Sequence, residues 1–186
     1  MMETNARVLS RQLRTGSGRF LSNRRTIAGL ALGAAGSMGL ISLYQMGLIE
    51  HLPEPPLPWL DADRVDAAPE AYQRMGLPMP DAALGLVSYG TTVALAAMGG
   101  ADRTTEQPWI PLAMAAKVGV DAVQAAKLTW EQWAEHRAFC SWCLLAAGLT
   151  FAAVPLAIPE ARAALRRPGG QADGYEEIAR EAGSWT

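Results

Sequence analysis

The sequence has few of the residues from which most metal and nucleic-acid sites are built. Its 186 residues include only two cysteines, Cys140 and Cys143, and two histidines. Basic residues form no long run beyond the N-terminal segment and no DNA-reading helix is recognisable, which argues against nucleic acid as a partner. The usual covalent attachment of haem is also excluded, because Leu144 stands where a C-x-x-C-H motif requires histidine.

Charged residues are absent or sparse in four stretches that approach the length of a membrane span. Apolar residues make up 50% of the chain, yet the mean hydropathy is only +0.06, because the apolar residues are grouped in blocks. A membrane-spanning helix needs about 20 such residues. Residues 26–49 contain no charge, and no A-x-A-like cleavage site follows them, so a retained transmembrane helix is predicted there. Further spans are predicted at 82–100, 109–129 and 139–159.

The third predicted span contains charged residues that need an explanation. Lys117 and Asp121 stand four residues apart, so they can pair on one face of a helix, and Gln124 continues that face. One interpretation is a structural ion pair turned into the bundle. The other is a proton relay or the polar wall of a pocket, since ionisable residues inside a membrane often serve function.

Residues 50–81, between the first two spans, differ from the rest of the chain. Seven prolines and seven of the 18 acidic residues lie there, so the segment cannot form one continuous helix, although residues 68–75 are compatible with a short one. We predict an ordered loop or cap outside the bilayer. It separates the first two of the four spans.

The arginines orient the predicted bundle. Six arginines precede the first span and three follow the fourth, and such residues in short flanks stay in the cytoplasm. The prediction is an all-α, integral membrane four-helix bundle with cytoplasmic N- and C-termini. It consists of a basic N-terminal segment at 1–25, a transmembrane domain at 26–160 and a cytoplasmic tail at 161–186. Loop 50–81 and the two cysteines then face outward.

The C-x-x-C spacing of Cys140 and Cys143, at the start of the fourth span, allows three interpretations. The first is a redox dithiol, because an outward site is oxidising and a helix N-terminus stabilises a thiolate, an effect to which His136 and Arg137 can add. The second is a pair of inert buried cysteines. The third is a metal site of His136 and both cysteines, which needs a fourth ligand such as His51 or Asp63.

Further motifs accompany the C-x-x-C pair. Residues 64–90 contain the turn Gly76-Leu77-Pro78 and a G-x3-Y motif from Gly85 to Tyr89. Together with the order of the helices, these motifs resemble the vitamin K epoxide reductase family over roughly residues 26–160. That family consists of membrane bundles of four or five helices, in which a C-x-x-C at the outer end of a helix faces a quinone.

The resemblance implies a role for each candidate residue. Cys143 would reduce a quinone of the ubiquinone or menaquinone type, and Cys140 would exchange with an incoming thiol. Asp81 would hydrogen-bond the quinone, while Tyr89, Trp142 and Leu144 would line the pocket for its ring. For Tyr89 and Trp142, a role as interfacial aromatic anchors is the alternative. No metal is expected.

The sequence departs from the family pattern in the outer loop. No cysteine lies between residues 50 and 80, Asp63 stands roughly where the second loop cysteine is expected, and Ala67 or Ala68 replaces a serine or threonine. Ala147 replaces a pocket tyrosine. An internal relay of electrons is therefore impossible, and an external thioredoxin-fold protein would have to reduce the pair directly.

Three functions remain after this comparison, the last of them a small metal-binding membrane protein. The first is a quinone-dependent thiol–disulfide oxidoreductase of the bacterial inner membrane, multi-pass, with its C-x-x-C at the periplasmic side and membrane lipid around it. The alternative is a non-catalytic membrane subunit or quinone-binding protein that has kept the bundle.

Overall fold

The chain folds into helices joined by short segments. The structure, a computed structural model, describes residues 2–73, 76 and 78–166. Seven α-helices lie within these ranges: α1 (Met2–Thr15), α2 (Leu21–Gln45), α3 (Ala62–Asp66), α4 (Asp81–Ala97), α5 (Arg103–Glu106), α6 (Trp109–Glu131) and α7 (Ser141–Leu165). A 3₁₀ turn covers Pro69–Tyr72, and a π-helical turn covers Gln132–His136. No β-strand forms in the described ranges, so the all-α prediction is confirmed there.

Four of these helices overlap the four predicted spans. α2 begins at Leu21, five residues before the predicted start, because the side chain of Arg24 finds hydrogen-bond partners within the fold. By length and composition, α2 and α7 can cross a membrane, and α4 is a shorter apolar helix of 17 residues. α6 is long enough to cross but contains charged side chains. Leu77 of the predicted turn and tail residues 167–186 lie outside the described residues.

The long helices pack around α2 and α7. α2 contacts α4 on one side and α7 on another, while α6 lies against α7 and, over a smaller area, against α4. Small residues bring α2 and α4 close together: a Cβ atom added at Gly85 would lie 2.7 Å from Sδ of Met38. Buried apolar residues then form two clusters, one near each end of the long helices. The first cluster, around the cysteines, contains Ile41, Leu52, Ala62, Val65, Ala82, Ala138 and Cys140. The second contains Ile27, Ala96, Met114, Val118, Ala153 and Ala157.

Two arginines close the end of the fold that contains the second cluster. Arg24 donates hydrogen bonds to the main-chain oxygens of residues 96, 98, 99 and 100. Arg103 donates to the main-chain oxygens of Leu95 and Met98 and also binds Glu160. The last carbonyl groups of a helix lack partners within the helix. The two guanidinium groups therefore supply the partners that the C-terminal end of α4 needs.

The predicted pair on α6 forms and faces α4. Nζ of Lys117 lies 2.7 Å from Oδ1 of Asp121 and 2.8 Å from Oγ of Ser88. Ser88 and Thr92, both on α4, donate hydrogen bonds to the Asp121 carboxylate. Gln124, by contrast, is exposed. Four polar groups on two helices thus satisfy one another, as expected for a structural pair between apolar helices.

Candidate functional site

The two cysteines lie where α7 begins. Cys140 is the residue that caps α7, and its sulfur accepts a hydrogen bond of 3.2 Å from the main-chain N–H of Cys143. Both cysteines are free thiols. Cys140 is fully buried, while Cys143, one turn further, is half-buried. A helix N-terminus with free N–H groups favours negative charge on a sulfur placed there.

The segment before α7 holds Cys140 in position from two sides. Its main-chain N–H donates to Oε1 of Gln132, in the π-helical turn that ends α6. On the other side, Phe139 exchanges main-chain hydrogen bonds with Trp59 and Asp61, which lie in residues 50–80 between α2 and α4, hereafter the outer segment. A left-handed residue, Arg137 at φ +53°, turns the chain between these contacts. Cys140 is thereby fixed to both α6 and the outer segment.

Asp66, the last residue of α3, lies beside both thiols. The Cys143 thiol donates to its Oδ1 across 3.7 Å, and a carboxylate oxygen of Asp66 and the two sulfur atoms all lie within 4.8 Å of one another. The residue is only 4% exposed. Its other oxygen, Oδ2, has no hydrogen-bond partner among the described residues. One carboxyl and two thiols thus share a pocket from which water is largely excluded.

Burial controls the charge of this carboxyl. Because desolvation disfavours the ionised form, the pKa of Asp66 rises from 3.8 to about 7. Hydrogen bonds from Cys140 and Cys143 lower the pKa, while the charges of Asp81 and Glu54 raise it. Asp66 therefore changes between its neutral and ionised forms near neutral pH, and it does so in contact with a thiol.

A single amide side chain fixes the surroundings of Asp66. Nε2 of Gln45, at the end of α2, donates to the main-chain oxygen of Asp66 at 3.2 Å and to Oδ1 of Asp81 at 2.9 Å. Its Oε1 accepts from the N–H of Ala82, and Tyr72 donates to its main-chain oxygen. The end of α2, the end of α3 and the start of α4 therefore meet at one residue.

The structure brings some of the predicted pocket residues to the cysteines. Asp81 lies at the start of α4 and is near enough to raise the pKa of Asp66. Trp142 packs against the same apolar cluster as Cys143, and its Nε1 donates to the main-chain oxygen of Pro53 at 2.8 Å. Leu144 follows Cys143 on α7 and is half-buried.

Tyr89, the remaining predicted pocket residue, lies further along α4. It is two turns further along α4 than Asp81, roughly 12 Å away along the helix axis, and its hydroxyl group forms a 3.0 Å hydrogen bond with Oγ1 of Thr150. There it lines a narrow crevice at which α2, α4, α6 and α7 meet, together with Thr92 and Asp121. The polar contact of Tyr89 with α7 is therefore made at Thr150, about two turns beyond Cys143.

The ligand set proposed for a metal site is not assembled. Nδ1 of His51 binds Oδ2 of Asp63 at 2.6 Å on the exposed side of the outer segment, and that contact raises the pKa of His51. In the part of the chain that the structure describes, the donor atoms near the sulfurs come from Asp66 and not from His136. A closed structural zinc site needs four ligands. Asp66 and the two cysteines supply three.

Asp66 is the residue that sequence reasoning missed. The sequence comparison points to Asp63, which stands roughly at the position of a loop cysteine, and it does not predict α3. The sequence contains only a weak signal for Asp66. Its carboxyl lies between Val65 and the pair Ala67 and Ala68, in a segment otherwise rich in proline and acids.

The comparisons with known proteins place this site in a family context. The chain matches the family model described as "Vitamin K epoxide reductase family" over residues 25–158. The matched region begins within α2 and ends within α7, so it includes Asp66 and both cysteines. A comparison with curated proteins gives no match.

Proposed function

Because this chain belongs to the vitamin K epoxide reductase family, which consists of membrane oxidoreductases, we propose that it is a quinone-coupled thiol–disulfide oxidoreductase. The observation that supports this proposal is the pair of free thiols at the start of α7, whose sulfurs lie within 4.8 Å of each other. A disulfide bond has a length of about 2.05 Å. A small movement within the first turn of α7 is enough to join the two sulfurs.

The proposed reaction has two halves that balance. In the first, Cys140 and Cys143 lose two electrons and two protons, an S–S bond forms between them, and a quinone becomes a quinol. In the second, two thiols of a partner protein reduce that bond by thiol–disulfide exchange, through a mixed disulfide. The partner leaves with a new disulfide, and the Cys140–Cys143 dithiol is restored.

The burial of the two sulfurs supports different roles for them. As a residue, Cys143 is partly exposed and Cys140 is not, and we assign to Cys143 the reaction with the quinone. Cys140 exchanges with the partner thiol. Since Cys140 is fully buried, this exchange requires the outer segment to open, including the contact from the N–H of Ser141 to the Glu54 carboxylate.

The proposed quinone, of the ubiquinone or menaquinone type, is a substrate that enters beside Cys143. Asp81, Trp142 and Leu144 are the predicted pocket residues that lie near the dithiol, and they fit a role in placing the quinone ring. Tyr89 lies further along α4, where its hydroxyl group bonds Thr150, and we assign to it the inner part of the ring pocket.

The proposal includes an arrangement in the membrane. α2, α4, α6 and α7 form a transmembrane domain at about 26–160, with the basic segment 1–25 and the tail 161–186 in the cytoplasm. The dithiol then faces the periplasm of a bacterial inner membrane, where a thioredoxin-fold partner can reach it. No cysteine lies in residues 50–80, so the partner must reduce the pair without an internal relay.

The redox state of Cys140 and Cys143 in native membranes tests the proposal. Acid quenching followed by alkylation gives this state before and after a quinone is added to reduced membranes. We expect added quinone to convert the thiols to a disulfide, and a dithiol reagent to reverse the change. A quinol absorbance signal that appears with the wild type and not with Cys143→Ser connects the two events.

A non-catalytic membrane subunit or quinone-binding protein is the second candidate. The full burial of Cys140 and the absence of loop cysteines favour it. Thiols that stay free in the presence of quinone would support this candidate and overturn the oxidoreductase.

A further inference from the structure

We propose that Asp66 accepts the thiol proton of Cys143 when the dithiol is oxidised and returns it when the disulfide is reduced. This inference rests on the proposed oxidoreductase function and assigns its proton-transfer group. The reactive form of a cysteine is the thiolate. A thiol inside a largely dry pocket needs a neighbouring group that takes its proton, and the contact between Oδ1 of Asp66 and Sγ of Cys143 supplies one.

The carboxylate of Asp66 is available for this task, unlike those of its neighbours. Gln45 binds Asp66 through its main-chain oxygen, which fixes the residue but leaves the carboxylate unused. The Asp81 carboxylate is bound by the same amide, and the Asp63 carboxylate accepts from His51 and from the N–H of Leu52. Among the described residues, the hydrogen-bond partners of the Asp66 carboxylate are the thiols, and Oδ2 stays buried without a partner.

The charged groups that face Asp66 do not stabilise its ionised form. It is faced by Asp81 from α4, Glu54 from the outer segment, Tyr44 from α2 and the two thiols from α7. Each of these groups is acidic or neutral. Desolvation, together with the charges of Asp81 and Glu54, outweighs the hydrogen bonds from the thiols and raises the pKa of Asp66 to about 7. A group with a pKa near the working pH can both take and return a proton.

The proton and electron changes can be followed through one cycle. During oxidation the S–H bond of Cys143 breaks, an O–H bond forms on Asp66, and the thiolate attacks the acceptor. Cys140 then closes the S–S bond and gives up its proton. The quinone gains two electrons, this proton and a second proton from water, while Asp66 keeps the proton of Cys143. During reduction a partner thiol loses its proton to water and attacks Cys140, the Cys143 thiolate leaves, and Asp66 gives it back the proton.

The test measures how fast the reduced protein is oxidised, from pH 5.5 to 9, by a small symmetric disulfide and separately by a soluble quinone. The variants are Asp66→Asn and, as the control, Glu70→Gln, an exposed acid of the same segment. In the wild type and the control we expect the rate to rise through pH 7 and then level off as Asp66 ionises. In Asp66→Asn we expect a rate at pH 7 on the order of 10²-fold lower, which continues to rise up to pH 9.

Several results would overturn the inference. An Asp66→Asn profile that keeps the inflection near pH 7 would do so, and so would a rate lowered by the same factor at every pH, which indicates a structural role. Should Asp66→Asn not fold, the wild-type profile decides: without an inflection between pH 6 and 8, Asp66 is not the acceptor. A wild type that shows the inflection with the small disulfide but does not react with quinone would refute the proposed function alone.

Discussion

The guanidinium of Arg103 and the carboxylate of Glu160 form two hydrogen bonds, of 2.8 and 2.7 Å, and neither side chain is exposed by more than 1%. Arg103 lies in α5 and Glu160 near the end of α7. The same guanidinium also binds the main-chain oxygens of Leu95 and Met98. Each charge is therefore compensated and hydrogen-bonded, which is the condition under which a buried ion pair is tolerated.

Removal of one partner of this pair should destabilise the protein severely. Arg103→Met leaves the Glu160 carboxylate buried and unpaired, and we expect a loss of about 3–5 kcal/mol in the free energy of unfolding. The double variant Arg103→Met, Glu160→Leu should recover most of that loss. Unfolding in detergent measures both. The control is Arg162→Met, at an exposed position of α7, the helix that contains Glu160. An Arg103→Met protein as stable as this control would contradict the expectation.

Asp66 should make the stability of the reduced protein depend on pH. Its folded pKa of about 7 exceeds 3.8, so between these values the folded state holds a proton that the unfolded state has lost, and stability falls as pH rises. Above pH 7 the loss is complete and amounts to about 4 kcal/mol at most. Asp66→Asn should therefore melt higher than the wild type at pH 8 and similarly at pH 4. Equal melting temperatures at pH 8 would show that the carboxyl is not desolvated.

The contact between α2 and α4 should distinguish two glycines of α4. A Cβ atom at Gly85 meets the side chain of Met38 at 2.7 Å, whereas one at Gly90 meets nothing within 4 Å. Gly90→Ala should stabilise by about 0.5–1 kcal/mol, the usual gain inside a helix. Gly85→Ala should lose about 1–3 kcal/mol to overpacking, and Met38→Ala should relieve part of this loss. Equal melting temperatures for the two alanine variants would contradict the close approach.

The hydrogen bond from Trp142 to Pro53 should control access to Cys140. Trp142→Phe keeps an aromatic ring in the apolar cluster but loses the donor, which costs about 1 kcal/mol. We expect faster alkylation of Cys140 in a Cys143→Ser background, because the outer segment opens more often. Trp130→Phe, at an exposed tryptophan of α6, should leave the rate unchanged. A rate unaffected by Trp142→Phe would show that this bond does not hold the segment closed.

The fold was predictable where local patterns determine it. Uninterrupted apolar runs predict the long helices, and the spacing of Lys117 and Asp121 predicts their contact on α6. The earlier start of α2 was missed because Arg24 looks like a flanking charge. Its partners are carbonyl groups more than 70 residues away, and no local pattern reveals them.

The site was predictable only for the residues that lie close together in sequence. Cys140 and Cys143 are three residues apart, so their meeting at the start of α7 follows from helix geometry. Asp66 reaches them only because Gln45 brings the ends of α2 and α3 together at the start of α4. Tyr89 lies two turns further along α4 than Asp81, and its position in a motif does not determine which side chains it contacts across the bundle.

Arg24 and Arg103 determine when, during synthesis of the chain, this end of the fold can assemble. Arg24 leaves the ribosome long before the carbonyls of residues 96–100 that it binds, and Arg103 precedes Glu160 by 57 residues. Until those partners emerge, each guanidinium must stay in contact with water or lipid headgroups. The nascent chain therefore completes this end only when α7 arrives, and a chain that stops before Glu160 leaves Arg103 without its carboxylate partner.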